Sequence, residues 1–428
     1  MLTILDLRNS NTTPFGAGGL QRPAFDTSSL TEKVKNVLAD IRQNGDKAVV
    51  KYTTQFDGVA LDNFVVSEAE INEAVSLISD DLKQAIEQAA ANIKAFHSKQ
   101  LSPIEIIETM SGIQCWRKSV GIEKVGLYIP GGSAPLFSTI LMLGIPAQLA
   151  GCKEIVLCSP PNKEGKLHPA ILFAAQLVGI TKVFKIGGVQ AIGAMAYGTA
   201  TVPKVYKIFG PGNQYVTYAK QLIQQEGVAI DMPAGPSEVC VLADDTAVPA
   251  YVAADLLSQA EHGADSQVIL VSTSESLVEK VQAALTEQVV LLNRKETAIK
   301  ALDNSKAIIV TTLDEAIDLV NEYAAEHLII SYSNADAIAE RIVNAGSIFI
   351  GNYSPESVGD YASGTNHTLP TNGFAKAYSG VSVDSFVKKI TMQKLSQQGL
   401  QSIAKTVVKM AEAEGLDAHA NAVKIRLN

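Results

Sequence analysis

The chain is sparing with the residues that most often announce a site. Its 428 residues hold one tryptophan, four cysteines and six histidines. The cysteines, at 115, 152, 158 and 240, show no Cys-x-x-Cys spacing and lie mostly in apolar segments. That reads as reduced, structural thiols in a cytoplasmic protein. No run of Lys or Arg offers a footprint for a phosphate backbone, and the net charge is -9, so no nucleic-acid partner is expected. No long hydrophobic run is present either. The most apolar stretch, Leu136 to Ala150, is broken by Gly144 and Pro146 and is too short to span a bilayer. Asp6 and Arg8 interrupt the opening residues where a secretory signal would need an apolar core, so no membrane partner and no export are expected.

What remains is an ordinary globular composition, 47% hydrophobic and 18% charged. The length exceeds what one hydrophobic core serves, so two or more domains are expected. Residues 28 to 100 read as helical, with apolar residues at three- and four-residue steps in Thr31 to Ile41 and Glu68 to Phe96. From 124 the pattern changes to short apolar runs alternating with helical ones. Val125-Gly-Leu-Tyr-Ile129, Glu154-Ile-Val-Leu-Cys158, Lys182-Val-Phe-Lys-Ile186 and Val205-Tyr-Lys-Ile208 predict strands. A second series follows at Val239-Cys-Val-Leu242, Gln267-Val-Ile-Leu-Val-Ser272, Ala307-Ile-Ile-Val310, His327-Leu-Ile-Ile330 and Ser347-Ile-Phe-Ile350. This is the signature of βαβ units in two largely parallel sheets, with a break near Asp231 to Pro236. From 385 the strand signal stops and helical periodicity resumes.

Three Gly-rich turns follow strands of the first series: Tyr128-Ile-Pro-Gly-Gly132, Gly187-Gly188-Val-Gln190 and Gly210-Pro-Gly-Asn213. None is a G-x-G-x-x-G fingerprint. Singly each reads as a tight turn; three in one domain favour a cofactor crevice at the strand carboxyl ends. Four of the histidines stand beside other polar groups, as Gln259-Ala-Glu-His262, Glu326-His327, Asp360 with His367, and Glu414 with His419. Imidazole is both a common metal ligand and the usual proton carrier near neutral pH. Gln259 and His262 share a helix face and could share a metal, or form a solvated helix end capped by Gly263. Glu326-His327 precedes its strand, which favours a buried polar junction. Asp360 lies in a long Gly- and Ser-rich loop of the kind that is often functional. His97, His168 and His419 read as surface residues.

In their order these motifs resemble histidinol dehydrogenase over nearly the whole chain. The resemblance implies NAD-dependent oxidation of L-histidinol to L-histidine through the aldehyde, in the last steps of histidine biosynthesis. It implies one Zn²⁺ per subunit, bound by Gln259, His262, Asp360 and His419, and an acid–base pair of Glu326 and His327. It further implies substrate contacts from Ser237, His367 and Glu414, together with His327 and the metal ligands, and NAD contacts from Tyr128, Gln190 and Asn213. The homodimer it implies shares each active site, with His419 crossing between subunits. The expected fold is α/β: two Rossmann-like domains of incomplete, mostly parallel sheet with helical N- and C-terminal extensions. Their expected bounds are 1–25 for the first extension, 26–123 plus 237–384 for the metal and catalytic domain, 124–236 for the NAD side, and 385–428 for the tail. Three rivals stay open on the residues alone: a zinc hydrolase using Glu326, an aldehyde dehydrogenase using Cys240, and a non-catalytic metal-dependent assembly protein.

Overall fold

The computed structural model describes residues 1–8, 15, 20–22, 28–131 and 135–427. Its strands are β1 (Thr3–Asp6), β2 (Ile106–Met110), β3 (Ile113–Gly121), β4 (Lys124–Tyr128), β5 (Glu154–Ser159), β6 (Lys182–Lys185) and β7 (Lys207–Phe209). They continue with β8 (Ala229–Ile230), β9 (Glu238–Ala243), β10 (Gln267–Ser272), β11 (Lys306–Ile309), β12 (His327–Ser331), β13 (Ser347–Ile350) and β14 (Val387–Leu395). All nine strands expected from the apolar runs are present.

Two parallel sheets dominate. One has the order β6-β5-β4-β7-β8 and the other β1-β11-β10-β9-β12-β13. Counted from β4 in the first and from β9 in the second, both follow the order 3-2-1-4-5 of a Rossmann sheet without its sixth strand, and the second adds β1 outside β11. Every residue of β9, β10 and β12 is buried. Strands covered on both faces need apolar side chains throughout, which is why they read as unbroken runs. In the six-stranded sheet the helices Pro249–Ala260, Glu275–Val289 and Lys295–Asp303 cover one face and Leu313–Tyr323 the other.

The domain grouping expected for 26–123 is corrected by the packing. The helices Ser28–Asn44 and Asp46–Phe56 supply Val34, Leu38, Ile41 and Val49 to the core on one face of the five-stranded sheet. The helices Glu68–Leu77 and Asp80–Ser98 supply Ala74, Ile86, Ala89 and Ile93 to the core on its other face. An amphipathic stripe shows that a helix is buried on one side without showing which sheet it covers. Both extensions also differ from expectation. The first opens with β1, which pairs in parallel with β11. The second opens with β14, whose nine residues pair antiparallel with β3 in a three-stranded sheet, β14-β3-β2, before the helices Gln397–Ala413 and Asp417–Lys424.

The run from Ser138 to Leu149 forms one helix straight through Gly144 and Pro146, with ten residues buried from Ser138 to Ala147. Apolar all round, it is a core element. Among the described residues no helix is long and apolar enough to cross a membrane.

Candidate active site and cofactor crevice

Glu326 and His327 stand at the amino end of β12, beside Glu238 at the amino end of β9, both strands in the middle of the six-stranded sheet. The helix before them ends at Tyr323, and Ala324 takes a left-handed conformation (φ 53) that turns the chain into the sheet. Non-glycine residues adopt this region at a cost of about 1 kcal/mol. The Glu238 N–H donates to Glu326 Oε2 at 2.9 Å, and His327 Nδ1 lies 3.1 Å from the Glu238 carbonyl and 3.0 Å from Gln259 Nε2. His327 Nε2 lies 3.3 Å from Asp360 Oδ1, and its ring stacks on Phe349. The ring is thus set between the Gln259 amide and the Glu238 carbonyl on one nitrogen and the Asp360 carboxylate on the other. Burial alone lowers its proton affinity, but the Glu326 carboxylate 3.7 Å away and the Asp360 bond outweigh burial and hold the ring above its ordinary value. Burial also raises the Glu326 carboxyl, with His327 opposing. Both groups therefore hold a proton more strongly than their free forms do.

Gln259, on the helix Pro249–Ala260, is buried against this pair. Its Nε2 donates to the Glu238 carbonyl at 3.3 Å, and its Oε1 is buried with no hydrogen-bond partner. Asp360 comes from the short helix Glu356–Tyr361 in the Gly- and Ser-rich loop, and it remains more acidic than usual because His327 outweighs its burial. His367 Nδ1 donates to the Asp360 carbonyl at 2.8 Å, leaving Nε2 to accept from Thr139 Oγ1 at 3.1 Å. Thr139 belongs to the helix Ser138–Leu149, so the cluster lies where the two sheet units meet. Asn366 secures the same junction by donating to the Met142 carbonyl at 2.6 Å. Ser237 immediately precedes Glu238.

His262 lies past the helix end, exposed, with its N–H turned back to the Gln259 carbonyl. Gly263 does not take the left-handed cap conformation expected of it. Glu414 and His419 are exposed on the two C-terminal helices, which pack chiefly on each other and on β14. Within one chain they are not brought to Gln259 and Asp360. Among the described residues no group of three or more His, Cys, Asp or Glu is placed to hold a metal. His97, expected at the surface, is instead fully buried and bonded to Gln100, whereas His168 is exposed and caps the helix Pro169–Val178.

The Gly-rich turns meet over the carboxyl ends of β4, β6 and β7, bordering a crevice of about 1020 Å³ lined by Tyr128, Gly131, Gly188, Gln190 and Asn213. Gly132 lies outside the described residues. Tyr128 is buried, and its hydroxyl accepts from the Gly188 N–H at 3.2 Å. A Cβ at Gly210 (φ 123) would collide with the Tyr128 carbonyl, so only glycine fits there. Its N–H donates to Asp231 at 2.8 Å, and Asp231 forms a buried ion pair with Lys220 at 2.5 Å. Asn213 Oδ1 caps the helix Gln214–Gln225. Gln190 is fully buried, and its Oε1, like that of Gln259, has no partner.

Reading by sequence missed Glu238, whose backbone orders both catalytic candidates. It also missed Arg22, which pairs with the Glu238 carboxylate at 2.5 Å and lies over the Tyr323 ring. Only the Pro-Ser-Glu run before β9 could have pointed to the first. Cys240 is fully buried within β9 and desolvation raises its thiol far above the usual range, which removes it as a nucleophile.

Two Rossmann-like sheets, a buried acid–base cluster at their junction and a glycine-bordered crevice over one of them define a two-domain α/β enzyme. A histidinol dehydrogenase family profile matches residues 20–427. The chain is 61% identical over 409 residues to the histidinol dehydrogenase of Bacteroides thetaiotaomicron, with 96% of each chain covered. It is 52% identical over 411 residues to that of Colwellia psychrerythraea, with 95% of each covered. The crystal structure of histidinol dehydrogenase from Elizabethkingia anophelis superposes with a TM-score of 0.94 at 56% identity, over 95% of this chain and 94% of that one. The chain belongs to the histidinol dehydrogenase family of oxidoreductases.

Proposed function

We propose that this protein oxidises L-histidinol to L-histidine through the aldehyde, with NAD as oxidant and one Zn²⁺ per subunit, in the cytoplasm. The observation that carries the reading is the convergence of Gln259, Glu326, His327, Asp360 and His367 in one buried cluster, with the Gln259 amide oxygen left without a partner. A buried acceptor with nothing donating to it is suited to a cation. Gln259, His262 and Asp360 form an oxygen and nitrogen donor set from one chain, and His419 of a second copy would complete it. The exposed apolar residues Ile106, Ile107 and Met110 on β2, Ile390 and Met392 on β14, and Met410 and Leu416 in the tail are apolar surface that such a second copy would cover. For NAD, the buried Gln190 amide oxygen and the glycine turns around the crevice are a fitting cradle.

When bound, zinc supplies positive charge that orients an amine and an imidazole of the substrate, and NAD accepts hydride. His327, held between Gln259, the Glu238 carbonyl and Asp360, takes the alcohol proton as a neutral ring when hydride leaves. Glu326, buried and raised in proton affinity, takes the proton of the water that adds to the aldehyde. Once its first proton has passed to solvent, His327 deprotonates the hydrate as the second hydride departs to a second NAD. Ser237, His367 and Glu414, the last from the second copy, hold the substrate's polar ends. Absorbance of NADH on adding histidinol and NAD tests the reading. Full activity that survives rigorous removal of metal by chelator would overturn the zinc assignment, and no NADH at all would overturn the reaction.

A further inference from the structure

In dinucleotide sites of Rossmann type an acid near the end of the second strand hydrogen-bonds the adenosine ribose. Here the second strand is β5, and it runs out into Ser159-Pro160-Pro161 with no acid. Among the described residues lining the crevice the sole carboxylate is Asp57, which comes from outside the sheet altogether. It caps the carboxyl end of the helix Asp46–Phe56, where its own N–H returns to the Thr53 carbonyl. Its side chain reaches the turn after β6, close to Gly187, and accepts from Gln190 Nε2 at 3.1 Å. Its other oxygen has no hydrogen-bond partner among the described residues. The turn after β6 and the prolines after β5 lie on the adenosine side of the strand order, away from β7 and β8.

We infer that Asp57 accepts hydrogen bonds from the adenosine ribose hydroxyls and selects NAD over its 2′-phosphorylated form. The inference rests on the preceding reading of NAD as the oxidant. Partial burial raises the carboxyl only to about 6, so it is ionised at neutral pH and repels a phosphate. Lys33 and Lys51 also line the crevice, and Lys51 is spent on Asp40 at 2.6 Å. Removing the negative charge at 57 therefore leaves a net positive rim from Lys33, which favours a phosphate where the carboxylate opposed it.

The test measures NAD and NADP binding calorimetrically, and steady-state KM and kcat with each, for the wild type and for Asp57→Asn and Asp57→Ala. The Asn variant keeps an acceptor for Gln190 and so covers the case in which Ala disturbs folding, which thermal melting reports. Both variants should raise KM for NAD, by about tenfold to a hundredfold for Ala, the usual cost of removing a charged acceptor. Both should lower the NAD-to-NADP preference at least about tenfold while kcat at saturating NAD stays within about twofold. Unchanged NAD affinity in both variants overturns the inference, as does an equal loss for NAD and NADP. A wild type that neither binds nor reduces NAD overturns the reading beneath it instead, so the two failures are distinct.

Discussion

In the five-stranded sheet the Gly-rich turns follow β4, β6 and β7, at the carboxyl ends of the strands, where Gly131, Gly188, Gln190 and Asn213 border the crevice. In the six-stranded sheet, of the same strand order, Glu238, Glu326 and His327 gather at the opposite, amino ends of β9 and β12. The carboxyl ends of that second sheet carry Asp244 and Asp245 where the first has glycines, and Asp244 is tied back to the Ser331 carbonyl. Acidic side chains at such a turn repel phosphate, and without glycine the backbone cannot approach it closely. Topology thus marks two crevices, while turn chemistry decides that only one suits a nucleotide. The other sheet is left free to present its opposite edge to the junction.

The sharpest way to break this contrast is at the amino ends. His327→Ala should lower kcat by roughly 10²–10⁴-fold, the usual worth of a proton carrier, with bound zinc undiminished. Loss of metal along with activity would make the residue a ligand instead. Glu326→Gln should slow turnover of added histidinaldehyde more than the first oxidation of histidinol, and equal loss of both would refute separate duties for the pair. At the carboxyl ends of the five-stranded sheet, Lys220→Met should destabilise the protein by about 3–5 kcal/mol in denaturant titration, because it leaves Asp231 buried without its cation beside Gly210. The shared site is tested by mixing His419→Ala and Gln259→Ala chains: crossing tails restore one intact site per heterodimer, and tails folded on their own chain restore none. The smallest effect belongs to the unused ends. Asp244→Asn with Asp245→Asn should change KM for NAD and kcat by less than about twofold, since a solvated turn far from either site contributes little.

Legibility followed burial. Most of the nine parallel strands could be read because strands covered on both faces carry unbroken apolar runs between turn residues, although β13 is only half-buried. β14, reading Val387-Lys-Lys-Ile-Thr-Met-Gln-Lys-Leu395, lies largely exposed, and its scattered lysines hid the pairing with β3. The buried ring of His97 was equally hidden, because one polar residue on an amphipathic helix gives no sign of what packs over it. At the site, resemblance supplied Gln259, Glu326, His327, Asp360 and His367, whose separation along the chain conceals their contact. Asp57, Thr139 and Arg22 were invisible because their partners are 133, 228 and 216 residues away.

The sequence alone determined the elements that depend on near neighbours: strands as apolar runs, turns where glycine is needed, helices as stripes. Only the tertiary structure decided which sheet the helices of 28–98 cover, which strand ends gather the polar groups, and that Glu326 and His327 are buried side by side. Those outcomes depend on burial and on charges a few ångströms apart, and neither distance nor dielectric is written in the order of residues.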